Sequence, residues 1–325
     1  MHTPAIDLGG TFAKGALVDE NGQLTRTWEV PTGAEGGYRA VVENLVSLGR
    51  KILGTARLMG ESCLVFGLAV PGLVEPETGI ARYSANLGWK DLPLADIIGE
   101  RLGVKVKLSQ DVAAGGLAEH RFGAAKGAHT AVVVPIGTGI AAAMISKGKP
   151  FQGAHGQVIE LGHLRMSWSD EPCPCGGTGC VERLASASAI GRRYLEALAA
   201  SGEPIPGESH PQANTTPKPT NQAQTVDSKY VADKAKDGDP LAIRIWNEAI
   251  RALAEGLHSV VTVVDPDVVV FGGGLSNAGD QLLIPLREQL ESLLTFQTMP
   301  ELRLATLGSK AGVVGAALSA NEQMC

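Results

Sequence analysis

The sequence predicts an α/β protein with two domains. Its 325 residues are enough for two domains of ordinary size, each with its own hydrophobic core. Short apolar runs alternate with segments whose apolar residues recur at helical spacing, which is typical of sheets covered by helices. The chain also contains 41 glycines, and several of them follow an apolar run directly. Such glycines indicate tight turns at the ends of strands.

The first half opens with three predicted antiparallel strands. AIDLGG and AKGALV are separated by a GGT turn, and Asn21-Gly22 is a strong hairpin signal before LTRTWEV. Residues 37–53 place apolar side chains at helical spacing. CLVFGLAVPG then predicts a buried strand that ends in a Pro-Gly turn. The strand VKVKLS follows, leading to Asp111 and a predicted helix, AAGGLAEHRFG.

The second half repeats the alternation. TAVVVPIGTGIAAAMI predicts two strands joined by a glycine turn, residues 241–264 predict a long helix, and DVVVFGGG predicts a buried strand before an amphipathic segment. Residues 201–225 lack apolar periodicity and are rich in Pro, Thr, Asn and Gln, so we expect a mobile surface insertion without chemical function. A helix over 311–320 is expected to return to the first domain. The predicted domains are therefore 1–116 plus 311–325, and 117–310.

Composition excludes several classes of protein. The net charge of −6 and the pI near 5.7 leave no broad basic surface for phosphates of a duplex, so nucleic-acid binding is disfavoured. No run of about 18 apolar residues predicts a membrane span, and the N-terminus does not resemble a secretion signal. We therefore expect a cytoplasmic protein that binds small molecules.

Three glycine turns are candidate phosphate sites. They lie at Asp7–Thr11, at Gly137-Thr138-Gly139 and at Gly272-Gly273-Gly274, each after an apolar strand. Glycines there let backbone N–H groups converge on an anion. None of the turns matches the dinucleotide fingerprint or the P-loop pattern. A purely structural role is the alternative for any one of them, but three together favour phosphate binding.

A cysteine cluster predicts a metal site. Cys173, Cys175 and Cys180 form a C-x-C-x₄-C pattern, and His163 precedes it by ten positions. Three thiolates and one imidazole suit a closed tetrahedral zinc site, so the zinc would be structural and would stabilise the loop 163–182. The alternative is a set of buried free thiols. Cys63 and Cys325 lie far from the cluster in sequence, and we expect no disulfide framework.

Four motifs together resemble one known family. ELGH followed by CPCGGTGCVE, with DLGGT near the start and SANLGW between them, resembles the signature of the ROK family (repressors, open reading frames, kinases). The resemblance covers nearly the whole chain apart from the insertion. It implies a two-domain actin-like ATPase fold, related to ribonuclease H, with ATP in the interdomain cleft. It also implies Mg²⁺, a structural Zn²⁺ and a homodimer.

The resemblance assigns the glycine turns to ATP. The first turn is expected to hold the β- and γ-phosphates, the second to approach them from the other domain, and the third to lie beneath the adenosine. Asp7 is expected to act through Mg²⁺ and its waters, with a turn-capping carboxylate as the alternative. The implied ATP and Mg²⁺ residues are Asp7, Gly9, Gly10, Thr11, Lys14, Gly137, Thr138, Gly139, Gly272, Gly273 and Gly274.

Asp111 is the predicted catalytic residue. Phosphorylation of a sugar hydroxyl needs a carboxylate that accepts the hydroxyl proton as the O–P bond forms. Asp111 follows the strand VKVKLS and precedes a helix, which places it at the edge of a sheet where α/β proteins bind ligands. It also matches the family's catalytic aspartate. The alternative is a helix N-cap, and the two roles are compatible.

The resemblance also implies a set of sugar contacts. These are Gly72, Asn86, Gln110, Asp111, Glu160, His163 and Glu182. His163 can bind zinc through one ring nitrogen and face the sugar with the other. Ordinary surface carboxylates are the alternative for Glu160 and Glu182. The chain departs from the family at Gln110, where Asn is usual, and at Val158-Ile159, where Ala-Gly is usual, and both departures affect the expected sugar rather than the reaction.

The sequence therefore predicts ATP-dependent phosphorylation of a hexose, with glucose first because SANLGW resembles the corresponding loop of bacterial glucokinases. An N-acetylhexosamine kinase and a non-catalytic sugar-binding protein are the alternatives. ROK repressors carry a winged helix-turn-helix of about 80 residues before the first glycine turn. This chain reaches DLGG by residue 10, so we do not expect a repressor.

Overall fold

The computed structural model describes residues 2–202, 206 and 226–321. Apart from Ser201, Gly202 and Pro206, the predicted insertion lies outside the described residues. In chain order the strands are β1 (Thr3–Leu8), β2 (Phe12–Val18), β3 (Leu24–Pro31), β4 (Val65–Val70), β5 (Leu73–Glu75), β6 (Ile80–Ser84), β7 (Trp89–Leu92), β8 (Lys105–Gln110), β9 (Thr130–Pro135), β10 (Ala143–Ser146), β11 (Lys149–Phe151), β12 (Val268–Gly272) and β13 (Glu301–Leu304).

The α-helices fall between and after these strands. They are α1 (Gly37–Leu58), α2 (Leu94–Leu102), α3 (Asp111–Phe122), α4 (Val181–Ala185), α5 (Ala187–Ser201), α6 (Ser228–Lys236), α7 (Pro240–Val264), α8 (Asp280–Leu293) and α9 (Ala311–Asn321). Two glycine-bearing turns also contain short 3₁₀ helices, Gly274–Ala278 and Gly308–Lys310. None of the described helices is both long and apolar enough to cross a membrane.

The two large sheets share one topology. The first has the order β3-β2-β1-β4-β8 and the second has the order β11-β10-β9-β12-β13. In each, the three strands that are consecutive in sequence pair antiparallel, and the remaining two add in parallel. The repeated order confirms the predicted α/β class with two related halves. β5, β6 and β7 form a separate three-stranded sheet, which the sequence analysis did not predict.

The central parallel strands are buried because they are covered on both faces. Phe66 in β4 and Phe271 in β12 are fully buried, and the five residues of β12 are all buried. In the first half α1 lies over β1 and β2, and its apolar face joins a core with β4 and α2. In the second half α7 crosses the core beside α4, α5, α6 and α8. The sequences of β4 and β12 are almost continuously apolar, which is typical of parallel strands that are covered on both faces.

Helices α3 and α9 lie between the two halves. α9 packs against α3 and against β1 and β4, while α3 also contacts β9 and β10 of the second sheet. Glycines permit the close approach, because a Cβ on Gly315 would lie 1.8 Å from the carbonyl oxygen of Ala114. A Cβ on Gly67 of β4 would similarly lie 2.2 Å from the carbonyl oxygen of Ala316. The chain therefore passes from the first sheet to the second after α3, and returns before α9.

Most predicted elements are present, with one informative difference. The helix after VKVKLS begins at Asp111 itself, and its N-cap is Gln110, whose Oε1 accepts a hydrogen bond from Ala113 N at 2.7 Å. The glycine turn 137–139 joins two antiparallel segments as predicted, since Ile136 pairs with Ile140 across it and Gly137 N donates to the carbonyl oxygen of Gly139 at 2.9 Å. The division into domains at 116/117 and 310/311 stays a prediction.

Candidate functional site

The candidate site lies where the parallel strands of both sheets end. Asp7 is near the end of β1, and Gln110 ends β8, which pairs in parallel with β4. In the second sheet β9 and β12 run parallel, so Ile136 and the turn at Gly272 emerge together. Open α/β sheets place ligands at this edge, because loops from several strands meet there.

One cavity of about 590 Å³ lies between the two halves. We call it the glycine-turn cavity, and its lining includes Asp7, Gly9 and Asp111 from the first half. From the second half come Gly272, Gly273, Gly274, Ser276 and Asn277, and from the return to the first half come Ala305, Gly308, Ser309 and Gly312. A neighbouring cavity of about 700 Å³ shares Gly274 and Asn277 with it and includes Thr138.

The first glycine turn is a tight hairpin. Gly9 N donates a hydrogen bond to the carbonyl oxygen of Phe12 at 2.9 Å, and Thr32 Oγ1 donates to the carbonyl oxygen of Gly9 at 2.7 Å. A Cβ on Gly9 would lie 2.9 Å from the Phe12 oxygen, whereas a Cβ on Gly10 would meet open space. Gly10 and Thr11 are exposed at the tip, so their backbone is available to a ligand.

The second and third glycine turns brace one another. Ile136 N donates to the carbonyl oxygen of Gly272 at 2.9 Å, and Leu275 N donates to that of Ile136 at 3.1 Å. Gly273 has a φ of 75°, and a Cβ there would lie 2.4 Å from the Ile136 oxygen. Both the left-handed backbone and the close approach require glycine at this position.

Glu182 supports the second turn from the start of α4. Its Oε2 accepts a hydrogen bond from Ile140 N at 2.8 Å, and a Cβ on Gly139 would lie 2.4 Å from the same oxygen. The carboxylate therefore needs glycine at 139 to reach the turn. One end of the predicted metal loop is in this way fixed to a predicted phosphate turn.

Asp111 is the first residue of α3, and its carboxyl group is held by two donors. Val112 N and Gln110 Nε2 both donate to Asp111 Oδ1 at 2.8 Å. Burial and, to a smaller extent, the negative charge of Asp7 together raise the pKa of Asp111 to about 7, against the opposing effect of backbone donors. A carboxylate with a pKa near neutrality is suited to accept a proton in a reaction at that pH.

Asp7 faces the same cavity from β1. Burial raises the pKa of Asp7, the positive charge of Lys14, its partner across the β1–β2 pair, partly opposes the shift, and the resulting pKa is about 6. A Cβ on Gly312, in the first turn of α9, would lie 2.2 Å from Asp7 Oδ2. Both carboxylates are buried, and the charge of Asp7 disfavours ionisation of Asp111. A divalent cation relieves such an arrangement, because its charge stabilises the ionised form of both. The residues therefore fit Mg²⁺.

A third cavity, of about 450 Å³, opens beside Asp111. We call it the polar cavity, because it contains six of the seven predicted sugar contacts: Gly72, Asn86, Gln110, Glu160, His163 and Glu182. Asp111 lines the glycine-turn cavity instead, directly after Gln110. The two cavities therefore meet at the Gln110-Asp111 pair.

The approach to Glu160 is strained. Ile159 has a φ of 54°, a left-handed backbone that is unusual for a β-branched residue. The Val158-Ile159 departure noted in the sequence thus falls where the backbone would suit glycine. Strained residues of this kind cluster at ligand sites.

The predicted metal ligands come together. The ligand atoms of His163, Cys173, Cys175 and Cys180 all lie within 4.8 Å of one another. Cys175 Sγ is 3.7 Å from Cys180 Sγ, and Cys173 Sγ is 3.9 Å from His163 Nδ1. Tetrahedral zinc with Zn–S bonds of about 2.3 Å separates its sulfurs by about 3.8 Å, so the cluster fits Zn²⁺. Because Nδ1 faces the thiols, His163 Nε2 is free for the polar cavity.

Five predicted nucleotide residues do not line these three cavities. They are Gly10, Thr11, Gly137 and Gly139, which belong to the first and second glycine turns, and Lys14, which lies in β2 opposite Asp7. Sequence reasoning also missed several cavity residues. Ser276 and Asn277 directly follow a predicted turn and could have been included, but Tyr83, Phe151 and Glu119 carry no local signal and enter only through the fold.

Comparison with known proteins agrees with this geometry. A model of the ROK family matches residues 3–323. The chain belongs to the ROK family. The resemblance of its four motifs to that family is thereby confirmed.

Relatives of this ROK protein are similar over their full length. The glucokinase of Thermotoga maritima is 32% identical over 326 residues, which cover 98% of this chain and 97% of that protein. The ROK hexokinase of Thermus thermophilus is 33% identical with a TM-score of 0.81, covering 100% and 99% of the two chains. A ROK family glucokinase from Streptomyces griseus, solved in complex with glucose and AMPPNP, is 27% identical with a TM-score of 0.78, covering 99% and 100%.

Proposed function

We propose that this ROK protein is an ATP-dependent sugar kinase that transfers the γ-phosphate to a hydroxyl of a hexose, with glucose as the first candidate. The observation that carries the proposal is the position of Asp111. It stands between the polar cavity, which is lined by six of the seven predicted sugar contacts, and the glycine-turn cavity. Glucokinases similar over nearly the whole chain support the sugar and the donor.

Asp111 acts as the base in this proposal. The sugar hydroxyl oxygen attacks the γ-phosphorus, its proton passes to the Asp111 carboxylate, and the bond from the γ-phosphorus to the bridging oxygen breaks as ADP leaves. Gln110 Nε2 and Val112 N hold Oδ1, which leaves Oδ2 for the sugar hydroxyl. The pKa of Asp111 is about 7 without metal, and Mg²⁺ at Asp7 would lower it, so the rate should rise with pH as Asp111 ionises at or below neutrality.

The backbone of the glycine turns binds the phosphates. The exposed Gly10 and Thr11 amides reach them from the first half, and the turn 137–139 reaches them from the second. Gly272–Gly274 lies under the adenosine. Asp7 would hold Mg²⁺, which would supply positive charge to the phosphate oxygens. His163, Cys173, Cys175 and Cys180 would hold Zn²⁺, which would stabilise the loop 163–182 and keep His163 oriented toward the sugar.

The polar cavity provides the sugar contacts. Asn86, Glu160, His163 and Glu182 offer donors and acceptors for ring hydroxyls, and Gly72 lets the backbone come close. An N-acetylhexosamine is the second candidate, because Gln110 and Val158-Ile159 depart from the usual family residues within this cavity. A sugar-binding protein without turnover is the third.

A substrate panel tests the proposal. ADP release from ATP and Mg²⁺ is measured with glucose, mannose, glucosamine, N-acetylglucosamine, N-acetylmannosamine, fructose and allose. We expect turnover that depends on glucose and is weaker with the other sugars. Preference for an N-acetylhexosamine would replace glucose but keep the kinase, and no turnover with any of the sugars would contradict the kinase assignment.

We further propose that the enzyme is a cytoplasmic homodimer that divides into the two domains predicted above. The cluster of three cysteines supports a reducing compartment, where thiols remain available to a metal. Resemblance to the family supports the dimer. Size-exclusion chromatography with light scattering tests it, and a mass of one 33.7 kDa chain would contradict it.

A further inference from the structure

Glu119 is a buried carboxylate that the proposed reaction does not use. It lies in α3, the helix that begins with Asp111, and only 1% of it is exposed to solvent. Buried acidic side chains are rare unless several donors satisfy them, since an unpaired charge in the interior is costly. The donors around Glu119 therefore indicate what it holds.

Four donors converge on this carboxylate, and they come from two segments. Ala124 N donates to Oε2 at 2.8 Å and Leu307 N donates to Oε1 at 2.8 Å. Thr306 N and Thr306 Oγ1 both donate to Oε2 at 3.3 Å. One side chain thus binds residues that are 182 positions apart in the sequence.

The two segments are the places where the chain crosses between the halves. The first crossing, residues 123–129, leads from α3 into β9, and the second crossing, residues 305–310, leads from β13 into α9. A second contact holds the first crossing close to the start of the second, because Arg303 Nη1, in β13 just before the second crossing, donates to the carbonyl oxygen of Ala124 at 2.7 Å. Glu119 therefore fastens both crossings to α3.

The local sequence is adapted to this carboxylate. A Cβ on Gly123 would lie 2.0 Å from Glu119 Oε2. Its φ of −116° is not left-handed, so the carboxylate, which is the nearest group, is the main reason for glycine at this position. The position of the Glu119 carboxylate therefore depends on glycine at 123.

The second crossing forms a wall of the glycine-turn cavity. Ala305, Gly308 and Ser309 line it, and Glu119 lines it too. No residue of either crossing lines the polar cavity. A shift of the second crossing therefore changes the nucleotide side of the site and leaves the sugar side in place.

We propose that Glu119 is a positioning residue that fixes the second crossing onto the Asp111 helix, and so sets the shape of the nucleotide site. This inference rests on the proposed function, since it takes the ligand of the glycine-turn cavity to be a nucleoside triphosphate. Glu119 acts through residues 305–309 and touches neither the sugar nor the transferred phosphate.

Two variants test it by different means. Glu119→Gln keeps the size but turns an amide N–H₂ toward one of the backbone donors, and Gly123→Ala pushes the carboxylate with a methyl group while keeping its charge. Asp239→Asn is the matched control, because Asp239 also binds three donors, Leu241 N, Ala242 N and Tyr194 OH, but joins α5 to α7 away from the crossings. Calorimetry gives the affinity of each protein for AMPPNP and, separately, for glucose.

We expect both variants to bind AMPPNP at least about tenfold more weakly, with glucose affinity changed less than about twofold, because buried donors lose their acceptor only at the crossings. The amides of Thr306 and Leu307 should exchange hydrogen faster, and that of Ala113, capped by Gln110, should not. Asp239→Asn should match the wild type in both affinities. If Glu119→Gln does not fold, Gly123→Ala tests the inference on its own.

Two results would overturn the inference. One is wild-type AMPPNP affinity in the folded variants, and the other is an equal loss of glucose and AMPPNP affinity, which a general structural role would give. Failure of the proposed function looks different. A wild-type protein that binds AMPPNP but phosphorylates no sugar refutes the kinase, while the AMPPNP affinities of the variants still decide the role of Glu119.

Discussion

Asp111 lies between two cavities and has a raised pKa. Replacing its carboxylate by an amide should remove the proton acceptor while keeping the hydrogen bonds that hold the side chain. Asp111→Asn keeps the acceptor that Val112 N and Gln110 Nε2 use at Oδ1, but it cannot accept the sugar proton. We expect kcat to fall by about 10²- to 10⁴-fold, the usual contribution of a general base, with glucose affinity nearly unchanged. Steady-state kinetics and calorimetry measure the two quantities.

The control for this variant is Asp280→Asn. Asp280 is an exposed aspartate that is likewise the first residue of its helix, α8. Its replacement should leave kcat within about twofold of the wild type. Near-normal kcat in Asp111→Asn would remove the catalytic assignment, and an equal loss in both variants would point to helix starts rather than to the base.

The same substitution should stabilise the protein at alkaline pH. The pKa of Asp111 is about 7 in the folded chain and 3.8 in its ordinary environment, so between these values the folded state holds a proton that the unfolded state has released. The free energy of unfolding of the wild type therefore falls as pH rises from about 4 to about 7. Asparagine carries no charge to bury, and Asp111→Asn avoids this loss.

Thermal unfolding of the apo protein, without nucleotide or divalent metal, measures the effect. We expect the variant to be more stable than the wild type by a few kcal/mol at pH 8, because each pKa unit corresponds to about 1.4 kcal/mol, and the difference should shrink toward pH 4. A difference that is constant with pH would mean that the Asp111 carboxyl is not shifted. Asp280→Asn should show no such trend.

Some functional residues can be predicted from the sequence around them, and others cannot. Asp111 was found because it follows an apolar strand and precedes a helix. Glu119 was missed, because AAGGLAEHRFG reads as an ordinary amphipathic helix and the partner Leu307 is 188 positions away. Gln110 was noted as a departure from the family, but its use as an N-cap was not expected, since glutamine is not a preferred cap.

The zinc loop is the element whose stability depends most on a ligand. Cys173 and Cys180 are buried while Cys175 is exposed, so Cys175→Ala removes a thiolate without opening a cavity in the core. We expect this variant to lose zinc and to melt several degrees lower, because the closed site couples metal binding to folding. Elemental analysis and thermal unfolding measure the two effects.

Cys63→Ala is the matched control. Cys63 is half-buried and lies outside the cluster, so its replacement should leave the zinc content at one ion per chain. Zinc loss should also raise the KM for glucose, because His163 and Glu182 lie at the two ends of the loop and line the polar cavity. Full zinc content in Cys175→Ala would contradict the ligand set.

Elements with a strong period were predictable, and those shaped by tertiary contacts were not. The long helix expected over 241–264 is α7, Pro240–Val264, with Asp239 as its N-cap and Pro240 at its first position. The strands β5 and β7 have three and four residues, and such short runs carry little periodicity. The turn at 137–139 reverses the chain as the sequence predicts, since Ile136 pairs with Ile140, but the contact of Ile140 with Glu182, 42 positions away, has no local signal.

At the scale of the molecule, the repeated sheet order was not visible in the sequence. The two halves use different residues for the same strands, for example TPAIDL in β1 and TAVVVP in β9, so the repeat exists in topology and not in motif. Chain length and the alternation of elements predict two domains, and the family resemblance adds that the two are related. What neither could supply is the pair of cavities that meet at Gln110 and Asp111.

Because residues of both halves line both cavities, sugar and nucleotide should bind cooperatively. Gly72 and Glu160 lie in opposite halves beside the polar cavity, as do Asp7 and Gly273 beside the glycine-turn cavity. A ligand that draws the halves together around one cavity also assembles the other. Linkage requires the coupling to be reciprocal, so glucose should tighten AMPPNP binding by the factor by which AMPPNP tightens glucose binding.

Calorimetry measures each affinity with and without the second ligand, and we expect a factor of about 5 or more, as is usual for coupled sites. X-ray scattering should show a smaller radius of gyration when both ligands are bound than with either alone. Asn86→Ala removes a glucose contact from the first half only. It should lower the affinity for glucose and leave the affinity for AMPPNP, measured in the absence of sugar, unchanged. Equal AMPPNP affinities with and without saturating glucose would mean that the cleft is rigid. Water would then have to be excluded from the phosphate transfer by the bound sugar itself and not by closure of the two halves.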